Sequence, residues 1–294
     1  MRAALIINPA AGRGAGRRLG AAVAAYLSEL GVQIHSQHYS RAAGDIGALV
    51  GEQLSTHPDA VIVVGGDGTA HEAVNGWMRA GGGTPLAVVP VGTGNDFTKM
   101  LGYGSDWRAA CRQIAQAHTR HVDIARCNDF YFANNLGIGF DARVAMAANR
   151  MQWLHSQAVY GVALIKTLAL NHVTPTVRVQ HAGETLETAI TLIAVNNGRA
   201  EGGAFVLAPQ AQIDDGLLDV VVASGLSRSG ILRLVPRVLR GSHIDDPAVT
   251  MFTTDQLVIE SNTGVPVHAD GEIRYTDAHR LEIEILPRRL TLMA

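Results

Sequence analysis

Residues 61–76 of this 294-residue chain, VIVVGGDGTAHEAVNG, join an apolar run of strand length to two glycines, an aspartate, a third glycine and a threonine. A helix-type pattern follows at once, which is how a phosphate-binding turn is built at the C-terminal end of a buried strand. The glycines let backbone N–H groups approach an anion, and the following helix points the positive end of its dipole at the same place. Asp67 is the anomaly, because a carboxylate in such a turn repels phosphate unless it holds a metal ion or takes a proton. The motif predicts chemistry on a phosphoryl group, with Asp67 on an exposed turn handling Mg²⁺.

Two other glycine turns follow apolar segments, NPAAGRG at 8–14 and PVGTGND at 90–96. In an open α/β sheet the loops at the carboxyl ends of strands line one crevice, so three such turns can converge on one nucleotide. Asp67 and Asp96 suit metal coordination there, directly or through water. Better-known nucleotide signatures are excluded. Lys99 follows Thr98 and Lys166 follows Ile165, so no Walker A lysine follows a glycine. The formal GxGxxA match at 137–142 has no acid from 142 to 183 to bind a ribose, and reads as structural.

Positioning these turns requires alternating strands and helices, and the chain supplies them up to about residue 125: AALII, a helix over 17–30, VQIHSQHY, a helix near 46–54, AVIVV, a helix over 72–78, and LAVVP. Such alternation predicts a parallel sheet covered by helices. From about 129 strands dominate, interrupted by one long helical stretch between 141 and 171, and predict a largely antiparallel sandwich or barrel. The expected plan is an α/β nucleotide-binding domain over 1–125 and a mainly β, sandwich-like domain over 126–280, with 281–294 able to return to the first domain.

Composition sets the outer bounds. With 24 basic and 26 acidic residues the net charge is −2, which offers no electrostatic footprint for nucleic acid. Cys111 and Cys127 lie far from any CxxC spacing, so a zinc site or disulfide framework is not expected and a reducing cytoplasm is. The first apolar run is too short for a signal peptide, and no segment reaches the roughly 20 apolar residues of a membrane span.

At these residues the chain resembles the bacterial diacylglycerol kinase-like lipid kinases, whose catalytic domain is shared with eukaryotic diacylglycerol and sphingosine kinases. The markers run nearly the whole chain: NPAAG at 8–12, GGDGT with Glu72 and Asn75-Gly76 after it, PVGTGNDF at 90–97, GIGFDA at 137–142, DDGLLDV at 214–220 and DGE at 270–272. Departures are small, with His71 where asparagine is usual and Ala204 interrupting a glycine cluster. The resemblance implies a two-domain kinase with its site in the interdomain cleft. It places ATP contacts on Asn8, Pro9, Ala10, Ala11, Gly12, Ser40, Gly66, Asp67, Gly68, Thr69, Ala70, His71, Glu72 and Thr93, and the third turn adds Asn95 and Asp96. It also implies a structural Mg²⁺ on Asp215 and the backbone carbonyls of Gln212 and Leu217, and a proton acceptor at Glu272 with Asp270 beside it.

Phosphoryl transfer needs positioning and charge neutralisation, which suits Mg²⁺ on the nucleotide loops and a base from Asp270 or Glu272 for the acceptor alcohol. By themselves DGE and the Asp214-Asp215-Gly216 run also read as turns. The acid-free stretch 142–183 carries Arg143, Arg150, Lys166 and Arg178 among Trp153, Leu154, Tyr160 and many aliphatics. It suits a peripheral membrane surface where a lipid substrate is collected, and equally a helix packed on the sandwich. The expected activity is ATP- and Mg-dependent transfer of a phosphoryl group to a diacylglycerol-like hydroxyl. An NAD kinase-like enzyme shares the GGDGT turn and a related plan, and a catalytically silent nucleotide- or lipid-binding protein is the non-enzymatic alternative.

Overall fold

A computed structural model describes residues 1–149 and 158–293. The chain divides into two compact units, one of Met1–Ile124 with Pro287–Ala294 and one of Ala125–Leu286.

In the first unit, β1 (Arg2–Ile7), α1 (Ala11–Glu29), β2 (Gln33–Tyr39), α2 (Asp45–Leu54), β3 (Ala60–Gly65), α3 (Asp67–Arg79), β4 (Leu86–Pro90), α4 (Asp96–Met100) and α5 (Trp107–Ala115) succeed one another. The strands form a parallel sheet in the order β2-β1-β3-β4. Every residue of β3 and β4 is buried, which is why these strands read as continuous apolar runs rather than alternating ones. Leu5, Ile7, Ile62, Val64 and Val89 pack with Val23 and Leu27 of α1 and Cys111 and Ile114 of α5.

One helix begins earlier than the periodicity predicts. Helix α3 starts at Asp67 rather than 72, so Asp67, Gly68 and Thr69 are its first turn and Gly66 its N-cap. Glycines and polar residues in a first turn carry no apolar periodicity, so the pattern shows only the later turns. In α1 the residues Gly12, Arg13 and Gly14 are in left-handed conformation, so the stretch from Ala11 is a turn and the right-handed helix begins only after Gly14, close to the expected 17.

Strand β5 (Thr119–Cys127) leads into the second unit. There β6 (Phe130–Phe132), β7 (Asn135–Gly139), α6 (Phe140–Asn149), α7 (Ala158–Leu170), β8 (Thr176–His181), β9 (Glu184–Asn196), β10 (Ala200–Glu201), β11 (Phe205–Val206), β12 (Leu218–Ser224), α8 (Arg228–Val238), β13 (Val249–Thr254), β14 (Gln256–Ala269) and β15 (Glu272–Met293) follow. The pairing is antiparallel. Strand β9 pairs with β8 at its start and with β7 and β12 towards its end. Strand β14 likewise pairs with β8 first and with β7 last. Both long strands thus change partner midway and wrap a core of Phe130, Phe132, Leu136, Ile193, Val220, Ile259 and Leu281. The last turn of β15 returns to the first unit, where Leu292 pairs in parallel with Leu86 of β4.

The helical stretch expected over 141–171 appears as α6 and α7 among the described residues. Helix α8 has no counterpart in the sequence reading. Its onset carries a cap, the Ser227 side chain accepting a hydrogen bond from the Gly230 N–H, but Pro236 inside it hides its helical character.

Candidate active site

The turn after β1 is tied to the turn after β3 through Asn8. Its backbone N–H donates to the Val64 carbonyl at 3.0 Å, and its Nδ2 donates to Thr69 Oγ1 at 2.9 Å. Its Oδ1 accepts from the Ala10 N–H at 3.0 Å and the Ser40 hydroxyl at 3.5 Å. Two glycines allow close approach to the turn after β4. A Cβ on Gly12 would lie 1.9 Å from the Val91 carbonyl oxygen, and one on Gly92 would lie 2.6 Å from Gly66 Cα. All three turns meet in one unit, at the carboxyl ends of adjacent parallel strands and at the start of α1, α3 and α4.

Asp67 is half-buried rather than on an exposed turn, because α3 begins with it and the β4 turn covers it. Its Oδ1 accepts from the Phe97 N–H at 3.1 Å in the first turn of α4. Gly94 lets the acid in, since a Cβ there would sit 2.6 Å from Asp67 Oδ2 and 3.9 Å from Asp96 Oδ2. Burial and then the charge of Asp96 raise the Asp67 pKa against the pull of the backbone N–H groups of Phe97, Asn95 and Asp96. Lys99 Nζ lies 3.5 Å from Asp96. Two carboxylates side by side around a glycine cradle form an oxygen donor set that fits Mg²⁺.

The remaining residues implicated by resemblance have varied placements. Thr93 is exposed; Gly12 and Gly68 are half-buried; Pro9, Ala10 and Ala11 line the first turn. Asn95 is buried in left-handed conformation and spends both amide atoms on Gly92, at 3.0 and 2.9 Å. Glu72 caps α2, accepting from the Gly44 and Ile46 N–H groups at 2.9 and 3.3 Å. Ala70 and His71 lie in the buried body of α3, where His71 faces Asn75.

In the second unit Asp270 and Gly271 form the two-residue turn between β14 and β15, both with positive φ, and Ala269 pairs with Glu272. The Asp270 carboxylate accepts three backbone N–H bonds, from Ala133 at 3.1 Å, Asn134 at 2.9 Å and Asn135 at 3.1 Å. Glu272 is exposed. Asp215 is exposed and its Oδ1 accepts from the Leu217 N–H at 3.0 Å, with Gly216 at φ 76°. Burial first and the charge of Asp215 second raise the pKa of Asp219.

Of the acid-free stretch, Arg150, Trp153 and Leu154 and the side chain of Tyr160 lie outside the described residues. Arg143 is not a surface cation: it is half-buried and its Nε lacks a hydrogen-bond partner. Val162, Ile165, Lys166 and Leu170 are exposed on α7. Among the described residues no helix is long and apolar enough to cross a membrane. Sequence reasoning missed Glu201 and His268, which lie against Asp141 of GIGFDA; no spacing marks three residues so far apart in the chain.

The sequence profile of the diacylglycerol kinase catalytic domain matches residues 2–127, and that of the YegS C-terminal NAD kinase beta sandwich-like domain matches 134–294. A diacylglycerol kinase of Mycobacterium tuberculosis is 31% identical over 91% of this chain and 87% of its own length. One from Bacillus subtilis is 28% identical over 92% and 89%. The crystal structure of a candidate diacylglycerol kinase from Bacillus anthracis superposes with a TM-score of 0.81 at 26% identity, covering 99% of this chain and 94% of that one. With its three turns on a parallel sheet, its antiparallel second unit and relatives that match along nine-tenths of its length, the chain belongs to the diacylglycerol kinase family and is a lipid kinase, a phosphotransferase.

Proposed function

We propose that the protein transfers the γ-phosphoryl group of ATP, as its Mg²⁺ complex, to the hydroxyl of a diacylglycerol-like lipid. The observation that carries this reading is the Asp67–Asp96 pair at the junction of three glycine turns. Backbone N–H groups of the turns and the starts of α1 and α3 bind the phosphates, with Asn8, Ser40, Thr69 and Thr93 as polar side chains. Asp67 and Asp96 hold the Mg²⁺, which neutralises charge on the transferring group. Asn95, Glu72 and His71 act one step back, by fixing the loops and helices that present those groups.

Glu272 takes the acceptor proton late in transfer, since a carboxylate is too weak a base to ionise an alcohol beforehand. Asp270 holds its turn. Asp215, with the carbonyls of Gln212 and Leu217, holds a structural Mg²⁺ that also offsets the repulsion between Asp215 and Asp219. The lipid is collected at a membrane surface, where Ile165 and Leu170 insert and Lys166 meets anionic headgroups. The protein works from the cytoplasm and has no nucleic-acid partner.

The test is transfer from labelled ATP to a total lipid extract, with identification of the phosphorylated species and NAD as a parallel acceptor. A labelled diacylglycerol-like lipid is expected. Labelled NADP instead, or ATP binding with no labelled lipid, overturns the reading.

A further inference from the structure

The two N–H groups of the Asp270-Gly271 turn are held by different parts of the second unit. That of Asp270 donates to the Asn135 carbonyl on β7 at 2.9 Å. That of Gly271 donates to Nδ1 of His268 at 3.3 Å. His268 lies on β14 between Val267 and Ala269, and all three are fully buried. The far side of its ring meets two acids, with Nε2 3.1 Å from Asp141 Oδ2 at the start of α6 and 3.2 Å from Glu201 Oε1 on β10.

Resting on the reading of Glu272 as the proton acceptor, we propose that His268 is a positioning residue for it: the ring fixes Gly271, and the Asp141–Glu201 pair fixes the ring.

The protonation pattern follows from the bonds. A backbone N–H can only meet a lone pair, so Nδ1 is bare and the ring proton sits on Nε2, facing the two acids. Burial and then the charge of Asp141 push the Glu201 carboxyl up to about 8, so at neutral pH it keeps its proton and donates to the ionised Asp141. Asp141 stands in the first turn of α6, where the helix dipole favours a negative charge. Each member orients the next, from the acid pair to the ring and from the ring to the peptide.

Two features argue against a ring that merely fills space. Room is cleared for it, since a Cβ on Gly137, its pairing partner on β7, would lie 2.1 Å from His268 Nε2 and 2.3 Å from Asp141 Oδ2. Burying an imidazole with two carboxyls also costs desolvation that an aliphatic side chain at this position avoids. The network reaches the turn at the Gly271 N–H, one residue before Glu272. Gly271, with φ 84°, is the freest residue of the turn, and it is the one the ring pins. A base has to lie within hydrogen-bond reach of the proton it takes, and a displacement of about 1 Å can cost ~10²-fold in rate.

Two substitutions divide the bonds of the ring. His268→Asn puts an amide oxygen near the place of Nδ1, which keeps the acceptor for Gly271 but loses the reach to the acids. His268→Gln carries its amide out to the place of Nε2, which keeps the acids paired but leaves the Gly271 N–H without its acceptor. For lipid phosphorylation, kcat should stay within about 3-fold of wild type in His268→Asn and fall by about 10- to 100-fold in His268→Gln, with the KM for ATP unchanged in both. The melting temperatures should rank in the opposite order, because His268→Asn leaves buried acids unpaired. In a Glu272→Gln background His268→Gln should cost nothing further, since it acts through that carboxylate. In the ¹⁵N-labelled wild type, a scalar coupling across the hydrogen bond between Gly271 N and His268 Nδ1 is expected, and it needs no variant to fold. Absence of that coupling, or equal kcat in the Asn and Gln variants, overturns the proposal. Wild-type kcat in Glu272→Gln alone overturns the reading of Glu272 as the base, and the proposal with it, even where the coupling is seen.

Discussion

Asp67 and Asp270 stand in the same dipeptide, aspartate then glycine, one in each unit, and each carboxylate reaches out to backbone N–H groups of another segment. Asp270 receives three of them, and with its own N–H on the Asn135 carbonyl it is a brace that fixes the start of β7 to the β14–β15 turn. Asp67 accepts the Phe97 N–H at 3.1 Å and feels those of Asn95 and Asp96 as well, but it is desolvated and has the charge of Asp96 as a neighbour. Three donors with no like charge among the partners settle Asp270; around Asp67 the donors do not outweigh burial and a second carboxylate. The nearest like charge, rather than residue type or the count of donors, assigns the two acids different work.

The largest effect should come from Asp67→Asn. Asparagine keeps an acceptor for the Phe97 N–H and removes the charge, so turnover should fall by on the order of several kcal/mol of transition-state stabilisation. Stability should move the other way. The folded pKa of Asp67 is raised, so the native state favours the protonated acid and loses stability as pH rises through that pKa. In Mg²⁺-free buffer at pH 7 the variant should therefore melt no lower than the wild type. A variant with wild-type kcat would merge the two aspartates into one structural class.

Glu272→Gln and Asp270→Ala sharpen the comparison inside the second unit. The first should lower kcat by about 10²–10⁴-fold with an unchanged melting temperature. The second removes the acceptor of three N–H groups, each costing about 1–3 kcal/mol if left unsatisfied in the interior, and should lower the melting temperature clearly. Thermal melts and lipid phosphorylation on the same samples separate these outcomes. A stable Asp270→Ala protein would end its role as a brace.

Asp215-Gly216 is a third example, with one local N–H bond and an exposed carboxylate. If it holds Mg²⁺, the ion at 100 times its Kd adds about 2.7 kcal/mol of stability to the wild type, and Asp215→Ala abolishes the gain. Equal melting shifts with Mg²⁺ in both proteins would reduce it to a turn residue. The smallest effect concerns the surface of α7. Lys166→Gln should weaken binding to anionic vesicles by about 1 kcal/mol, with the difference closing at high salt. Binding that ignores the substitution would move the docking surface elsewhere.

Much of the first unit is legible in the sequence because β1, β3 and β4 are buried on both faces and end in glycine turns, and both features are written in consecutive residues. The start of α3 is not, since first-turn glycines and polar residues carry no period. Helix α8 is hidden by Pro236, and Arg143, a cation in a formula, proves half-buried once α6 is folded. In the candidate site the sequence names Asp67 and Asp96, but the bonds of Asn8 to Thr69 and of Asn95 to Gly92 depend on loops meeting in space.

The sequence by itself determined the family, the two textures of the chain and the identity of the acids, because short-range motifs and hydrophobic periodicity are local properties. Tertiary structure decided what each acid does. Asp270 acquires its three donors from residues 133–135, Asp67 its repulsion from a turn 29 positions on, and Asp141 its partners from β10 and β14. Electrostatic environment is set by distance in space, which strand pairing fixes and chain order does not record.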